Sequence, residues 1–189
     1  MISGVVLAAG TGSRFGGTKQ IVAMDGKPLA QHAIDALDAA GVDEVIVVTG
    51  HDAVKVASAL TLPPEARIVY NAAFKDGQAT SLAAAIHALD DESEAAVILM
   101  ADQPGVTSDV IRSLVSRFRI TRRQVVRATY ADGPGPSLLS REIYAEAGHL
   151  HGDVGARILI ASHPEWVEEV EVDGAAPRDV DEPGDLGDA

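Results

Sequence analysis

The chain has 189 residues, 47% of them apolar and 23% charged, a length that favours one domain with a sizeable core. It has no cysteine, which excludes a disulfide scaffold, a zinc–thiolate site and thiol catalysis. Fifteen basic residues against 28 acidic ones leave a formal charge of −13, which opposes binding to nucleic acid or to an anionic membrane surface.

No apolar run approaches the ~20 residues of a spanning helix, and Met1-Ile2-Ser3-Gly4 lacks the basic start of a signal peptide. A cytoplasmic location is expected. The charge is unevenly spread. Residues 165–189 hold ten acids against one base, Arg178, whereas six of the eleven arginines fall between Arg112 and Arg127. That basic stretch reads as a solvated helix end and loop, with an acidic partner or a substrate phosphate as the alternative.

Along the chain, short β-branched apolar runs alternate with helical patterns. The runs at 4–8, 44–49, 67–70, 97–100 and 124–129 are continuous, as parallel strands buried on both faces require. Pro28 opens a helix in which Leu29, Ala33, Ile34 and Leu37 share one face and Gly41 ends it. Further helices are expected at 53–60, 80–89, 107–118 and 154–162. Residues 132–136, Asp-Gly-Pro-Gly-Pro, read as turn material that breaks the alternation, and 166–172 as an exposed edge strand. The pattern predicts a single-domain α/β fold: a Rossmann-like, mostly parallel sheet with helices on both faces.

The first strand leads into Leu7-Ala8-Ala9-Gly10-Thr11-Gly12-Ser13-Arg14-Phe15-Gly16-Gly17-Thr18-Lys19. Glycines let successive backbone N–H groups approach an anion closely, and open α/β sheets bind ligands at the carboxyl ends of their strands. The dinucleotide fingerprint fails because Phe15 takes the slot of its third glycine, and the Walker A pattern fails because Thr18 separates Gly17 from Lys19. What remains is a glycine loop with two cations, Arg14 and Lys19, aimed at a polyanion.

The apolar run at 97–100 ends in Ala101-Asp102-Gln103-Pro104, which sets Asp102 at a carboxyl strand end. A carboxylate opposite a phosphate cradle suits Mg²⁺, which takes one or two carboxylates plus substrate phosphates. Asp181, in Asp179-Val180-Asp181-Glu182-Pro183, is a second candidate. His149 and His151 read as part of a turn, with no third ligand at a convincing spacing, and no Gly-x-Ser-x-Gly elbow supports serine hydrolysis.

The loop with its Arg14 and Lys19 resembles the signature of the MobA-like nucleotidyltransferases, most closely their molybdenum cofactor cytidylyltransferase branch. Four further segments are similar in order: Asn71…Gly77-Gln78-Ala79-Thr80-Ser81-Leu82, Ala101–Pro104, Gly152-Asp153-Val154-Gly155-Ala156-Arg157, and Asp179–Pro183. The resemblance implies a nucleotide-diphospho-sugar transferase type of fold, with a nucleotide half at about 1–105 and an acceptor half at about 106–189. It implies transfer of a cytidylyl group from CTP to the terminal phosphate of molybdopterin, a pterin phosphate, with release of pyrophosphate. A molybdenum hydroxylase is the implied recipient of the product.

Ala8-Ala9-Gly10 favours CTP, since guanylyl-transferring relatives usually have glycine at the position of Ala9. The chain departs from the branch at Gly133-Pro134-Gly135-Pro136, where Gly-His-Pro is usual.

On this reading the backbone edges of Leu7, Ala8 and Ala9 read the base, and Gly10, Gly12, Arg14 and Lys19 hold the triphosphate. Asp102 and Asp181 hold one Mg²⁺ and repel each other without it. Arg14, Lys19 and Asp102 are the expected catalytic residues, and Gly77, Ser81, Asp153 and Arg157 the acceptor side. Alternatives are nucleotidyl transfer to another phosphorylated acceptor (a sugar, polyol or phospho-acid), a dinucleotide-dependent oxidoreductase, which the displaced glycine disfavours, and a non-catalytic nucleotide-binding module.

Overall fold

The computed structural model describes residues 1–12, 15–152 and 154–186. In chain order its strands and α-helices are β1 (Ile2–Ala8), β2 (Ala23–Met24), β3 (Lys27–Pro28), α1 (Leu29–Ala40), β4 (Glu44–Thr49), α2 (Ala53–Ala59), β5 (Ala66–Tyr70), α3 (Gln78–Ala88), β6 (Ala95–Met100), α4 (Ser108–Thr121), β7 (Val125–Tyr130), β8 (Gly133–Ser140), α5 (Tyr144–Gly148), α6 (Ala156–Ser162) and β9 (Val167–Glu171).

Seven strands form one sheet in the order β5-β4-β1-β6-β8-β7-β9. Only β8 runs against its neighbours, and β2 and β3 make a separate small hairpin.

Alternation along β1 divides the core into two layers. Val6 and Ala8 face α1 and α4 with Leu37, Ile111 and Leu114, while Val5 and Leu7 face α3, α5 and α6 with Leu82, Ala147 and Ile160. Gly4 lies on the α1 side, where a Cβ would fall 2.7 Å from Leu37 Cδ2, so its bare backbone admits the helix. Gly41 ends α1 at φ 74, as its place in the sequence requires.

One element departs from the sequence reading. The segment read as a break is β8, reached from β7 by a turn at 131–132. The prolines are tolerated because β6 pairs with β8 only as far as Ile98 with Ser137. Pro134 and Pro136 lie beyond that point, where no ladder on that side needs their missing N–H groups. The unpaired ends of β6 and β8 leave a gap in the sheet that becomes part of the site.

Much of the arginine stretch is paired internally. Arg127 and Glu169 are cross-strand partners on β7 and β9, joined at 2.5 Å. Arg117 on α4 reaches Glu168 at 2.7 Å, and Arg122 reaches Glu94 at 2.6 Å. The edge strand expected at 166–172 is thus β9, fastened to the body partly by charge.

At the amino edge of the sheet, Glu44 is 4% exposed yet carries a carboxylate. It accepts from Ser3 Oγ at 2.7 Å and from the Asp90 N–H at 2.9 Å, with Arg67 beside it at 3.0 Å. Glu44→Ala is expected to lower the unfolding free energy by about 1–3 kcal/mol, the cost of stranding buried donors. Urea denaturation checks this, and an unchanged midpoint would show that the cluster contributes nothing.

Candidate functional site

The carboxyl edges of β1 and β6 are adjacent, so the glycine loop after β1 and the Asp102 turn after β6 come together. The loop is shaped from within. Gly12 takes φ +58, and a Cβ there would lie 2.4 Å from the Gly17 carbonyl oxygen, so no other residue fits without displacement. Gln20, nearly buried, reaches back to donate to the Gly10 carbonyl at 2.7 Å. Thr18 Oγ1 donates to Asp52 at 2.5 Å, a bond that, with a second from Lys55, holds the Asp52 carboxyl below its usual range. Neither Gln20 nor Asp52 carries a motif signal, and only the folded loop reveals them.

Lys19 follows on a single 3₁₀ turn, Lys19–Ile21, and is 9% exposed. Its Nζ lies 2.8 Å from Asp102 Oδ2 and 3.1 Å from Asp181 Oδ1. Burial works against its charge, but the hydrogen bonds and attraction of Asp102 and then Asp181 outweigh it, so its pKa rises above the ordinary 10.5. On the lysine side the bridge therefore holds at neutral pH and is lost as pH climbs through that raised value.

Asp181 reaches this point because the tail docks on the Asp102 turn. The Val180 N–H donates to the Asp102 carbonyl at 2.9 Å, and Gln103 Nε2 donates to Asp179 at 2.8 Å. Asp185 then accepts from the N–H groups of Asp181 and Glu182, both at 2.8 Å, which lowers its own pKa.

The two bridging carboxylate oxygens are thus within about 6 Å of one another across one ammonium. The mutual repulsion expected of a bare pair is offset by Lys19, a cation of the chain itself. These hard oxygen donors fit a Mg²⁺ or Mn²⁺ ion, which completes its shell with phosphate and water oxygens. Among the described residues no group of three or more His, Asp or Glu side chains is placed to hold a metal.

Two cavities open at this edge. The first, about 590 Å³, is lined by Leu7, Ala9, Gly10, Phe74, Gly77 and Ser81, among others. The second, about 390 Å³, lies in the gap between β6 and β8 and includes Asp102, Arg127, Pro134, Pro136 and Arg157. Gly77 and Ser81, expected beside the acceptor with Arg157, lie instead with the loop residues. The cause is Asn71, which donates to Ser81 Oγ at 3.0 Å and accepts from the Ala73 N–H at 2.9 Å, drawing this segment toward the end of β5.

The Ala8 side chain is buried in the α1-side core, away from the cavity of Leu7 and Ala9. Arg14 and Asp153 lie outside the described residues.

Residues 4–167 match the family model described as the MobA-like NTP transferase domain. The crystal structure of Rv0371c from Mycobacterium tuberculosis H37Rv is 32% identical with a TM-score of 0.87, over 97% of this chain and 94% of that one. A structure of Rv0371c in complex with manganese is 31% identical with a TM-score of 0.82, over 97% and 95%. The bifunctional protein GlmU of Exiguobacterium sibiricum is 30% identical over 163 residues, 82% of this chain and 35% of that protein. The chain thus spans roughly a third of the length of the curated relatives it matches.

Because an ammonium stands between its two carboxylates, Lys19→Met is expected to bind Mn²⁺ alone at least about tenfold more tightly than the parent chain. Calorimetric titration of Mn²⁺ without nucleotide checks this; equal or weaker binding would show that Lys19 does not compete for the carboxylates.

Proposed function

The chain belongs to the MobA-like NTP transferase domain family, and from that premise we propose that it transfers a cytidylyl group from CTP to the terminal phosphate of molybdopterin, releasing pyrophosphate. The observation that carries nucleotidyl transfer is Lys19, buried between Asp102 and Asp181 at the rim of a glycine loop whose backbone is free to approach phosphate. The preference for CTP rests on the Ala8-Ala9-Gly10 start, of which Ala9 and Gly10 line the first cavity.

In this reading Leu7, Ala9, Gly77 and Ser81 hold the nucleoside, and Gly10, Gly12, Arg14 and Lys19 the triphosphate. Arg157, which lines the second cavity, serves the acceptor together with Asp153. The acceptor phosphate oxygen attacks the α-phosphorus, a new P–O bond forms, and the bond to the β-phosphate oxygen breaks as pyrophosphate leaves.

A phosphate monoester is already ionised near neutral pH, so no strong general base is needed. The residues act by positioning anions and by placing positive charge where it develops. Asp102 and Asp181 would hold Mg²⁺, which supplies neutralising charge to the phosphates. Manganese in the Rv0371c complex supports divalent-metal use.

No helix among the described residues is long and apolar enough to cross a membrane, and we place the reaction in the cytoplasm, with a molybdenum hydroxylase as recipient of the product. Gly133-Pro134-Gly135-Pro136, which lacks the histidine usual in the cytidylyltransferase branch, includes three residues that line the second cavity. That observation favours one rival, the same transfer to a phosphorylated sugar, polyol or phospho-acid.

In calorimetric titrations with Mg²⁺ present, CTP should bind more tightly than GTP, ATP or NAD; GTP binding as well or better would defeat the cytidylyl assignment. Pyrophosphate release with molybdopterin as acceptor tests the second substrate, and release only with a sugar or polyol phosphate would favour the rival. Lys19→Ala should lower that release by roughly 10²–10³-fold, the scale of losing one preorganised charge stabiliser, while unfolding remains cooperative.

A further inference from the structure

Three side chains line both cavities: Leu7, Gln78 and Met100. Of these only Gln78 carries an amide, with two donors and a carbonyl acceptor. Its position is fixed by the backbone. Gly77, at φ 108, turns the chain into α3 with Gln78 as the first residue of the helix, and the next N–H, of Ala79, donates to the Gly152 carbonyl at 3.2 Å. The segment leading to α6 is thereby tied to the start of α3.

The amide is poorly used for so central a group. Nε2 donates to Met100 Sδ at 3.1 Å, a weak thioether acceptor, and Oε1 accepts no hydrogen bond among the described residues. On the other side the backbone of Gly155 comes so close that a Cβ there would lie 2.6 Å from Oε1. Gly155 immediately precedes α6, and α6 carries Arg157 into the second cavity.

We propose that Gln78 is a positioning residue that couples occupancy of the nucleotide cavity to the placement of α6 at the acceptor cavity. The inference rests on the nucleotide reading of the first cavity. An oxygen of the bound nucleotide is a better acceptor than a thioether, so it draws Nε2 away from Met100. The amide is planar and rigid, so Nε2 cannot move without carrying Oε1 with it. Oε1 bears on Gly155, and its displacement resets the first turn of α6 and with it Arg157. Glycine at 155 is what allows the amide this travel; a methyl group there would block it.

Hydrogen exchange tests this without any acceptor. With CTP and Mg²⁺ added to the full chain, the amides of α6 should slow by about fivefold or more, the lower end of typical coupling between sites. Gln78→Leu should still bind CTP, within about tenfold, as the loss of one hydrogen bond allows, yet show no slowing in α6. Gly155→Ala, which presses on the same amide from the other side, should also uncouple α6, and the double variant should add nothing to either single one.

Slowing of α6 in Gln78→Leu equal to that of the parent would overturn the proposal. So would an α6 in the parent chain that does not respond to bound CTP. Calorimetry on the same samples separates these outcomes from a parent chain that does not bind CTP at all, which would overturn the nucleotide reading and the coupling together.

Discussion

Lys19, Asp102 and Asp181 come from three segments that have nothing in common in the sequence, and the buried ammonium is where they meet. A lysine with so little exposure is costly unless its charge is paired, and here two carboxylates pair it. The consequence runs outward from that point. The Asp102 turn must stay at the end of β6, the tail must stay hydrogen-bonded to it through Val180, and the glycine loop must bend back through Gly12 to bring Lys19 inward. Each arrangement is local, but only together do they make a cluster of charge that can face a triphosphate.

The sheet explains why the cluster forms at this edge. β1 is flanked by β4 and β6, all parallel, so the ends of these strands deliver their loops to one side. The unpaired end of β8 then opens the second cavity beside the first. Charge elsewhere is committed to holding the fold. Arg117, Arg122 and Arg127 are paired with Glu168, Glu94 and Glu169, so the positive stretch that stands out in the sequence fastens β9 and the end of α4. An excess of 13 negative charges keeps the rest of the surface repulsive to polyanions. That sharpens the contrast with the glycine loop, which leads into Lys19.

Much of this is legible in the sequence because it follows from short-range rules. The apolar runs of β1, β4 and β6 have the length and branching of buried strands, Pro28 and Gly41 bracket α1, and Asp102 stands where an apolar run stops. The misreadings share a physical cause, which is that tertiary context overrides a local signal. Pro134 and Pro136 look like a turn because proline breaks ladders, yet they lie where one ladder has already ended. Gly77 and Ser81 line the cavity beside the glycine loop, where Asn71 holds Ser81. Gln20 and Asp52 carry no motif, since their role is to brace other residues. The expected repulsion between Asp102 and Asp181 overlooked that the chain supplies its own cation.

The proposed reaction requires that Asp102 and Asp181 form one metal-binding edge and that Lys19 serve the same phosphates. A crystal structure of the chain with CTP and Mn²⁺, with the metal located by its anomalous signal, tests that requirement most directly. One ion bound by both carboxylates is expected, with Lys19 Nζ in contact with a phosphate oxygen of the nucleotide. A metal or a triphosphate bound away from these three side chains would contradict it.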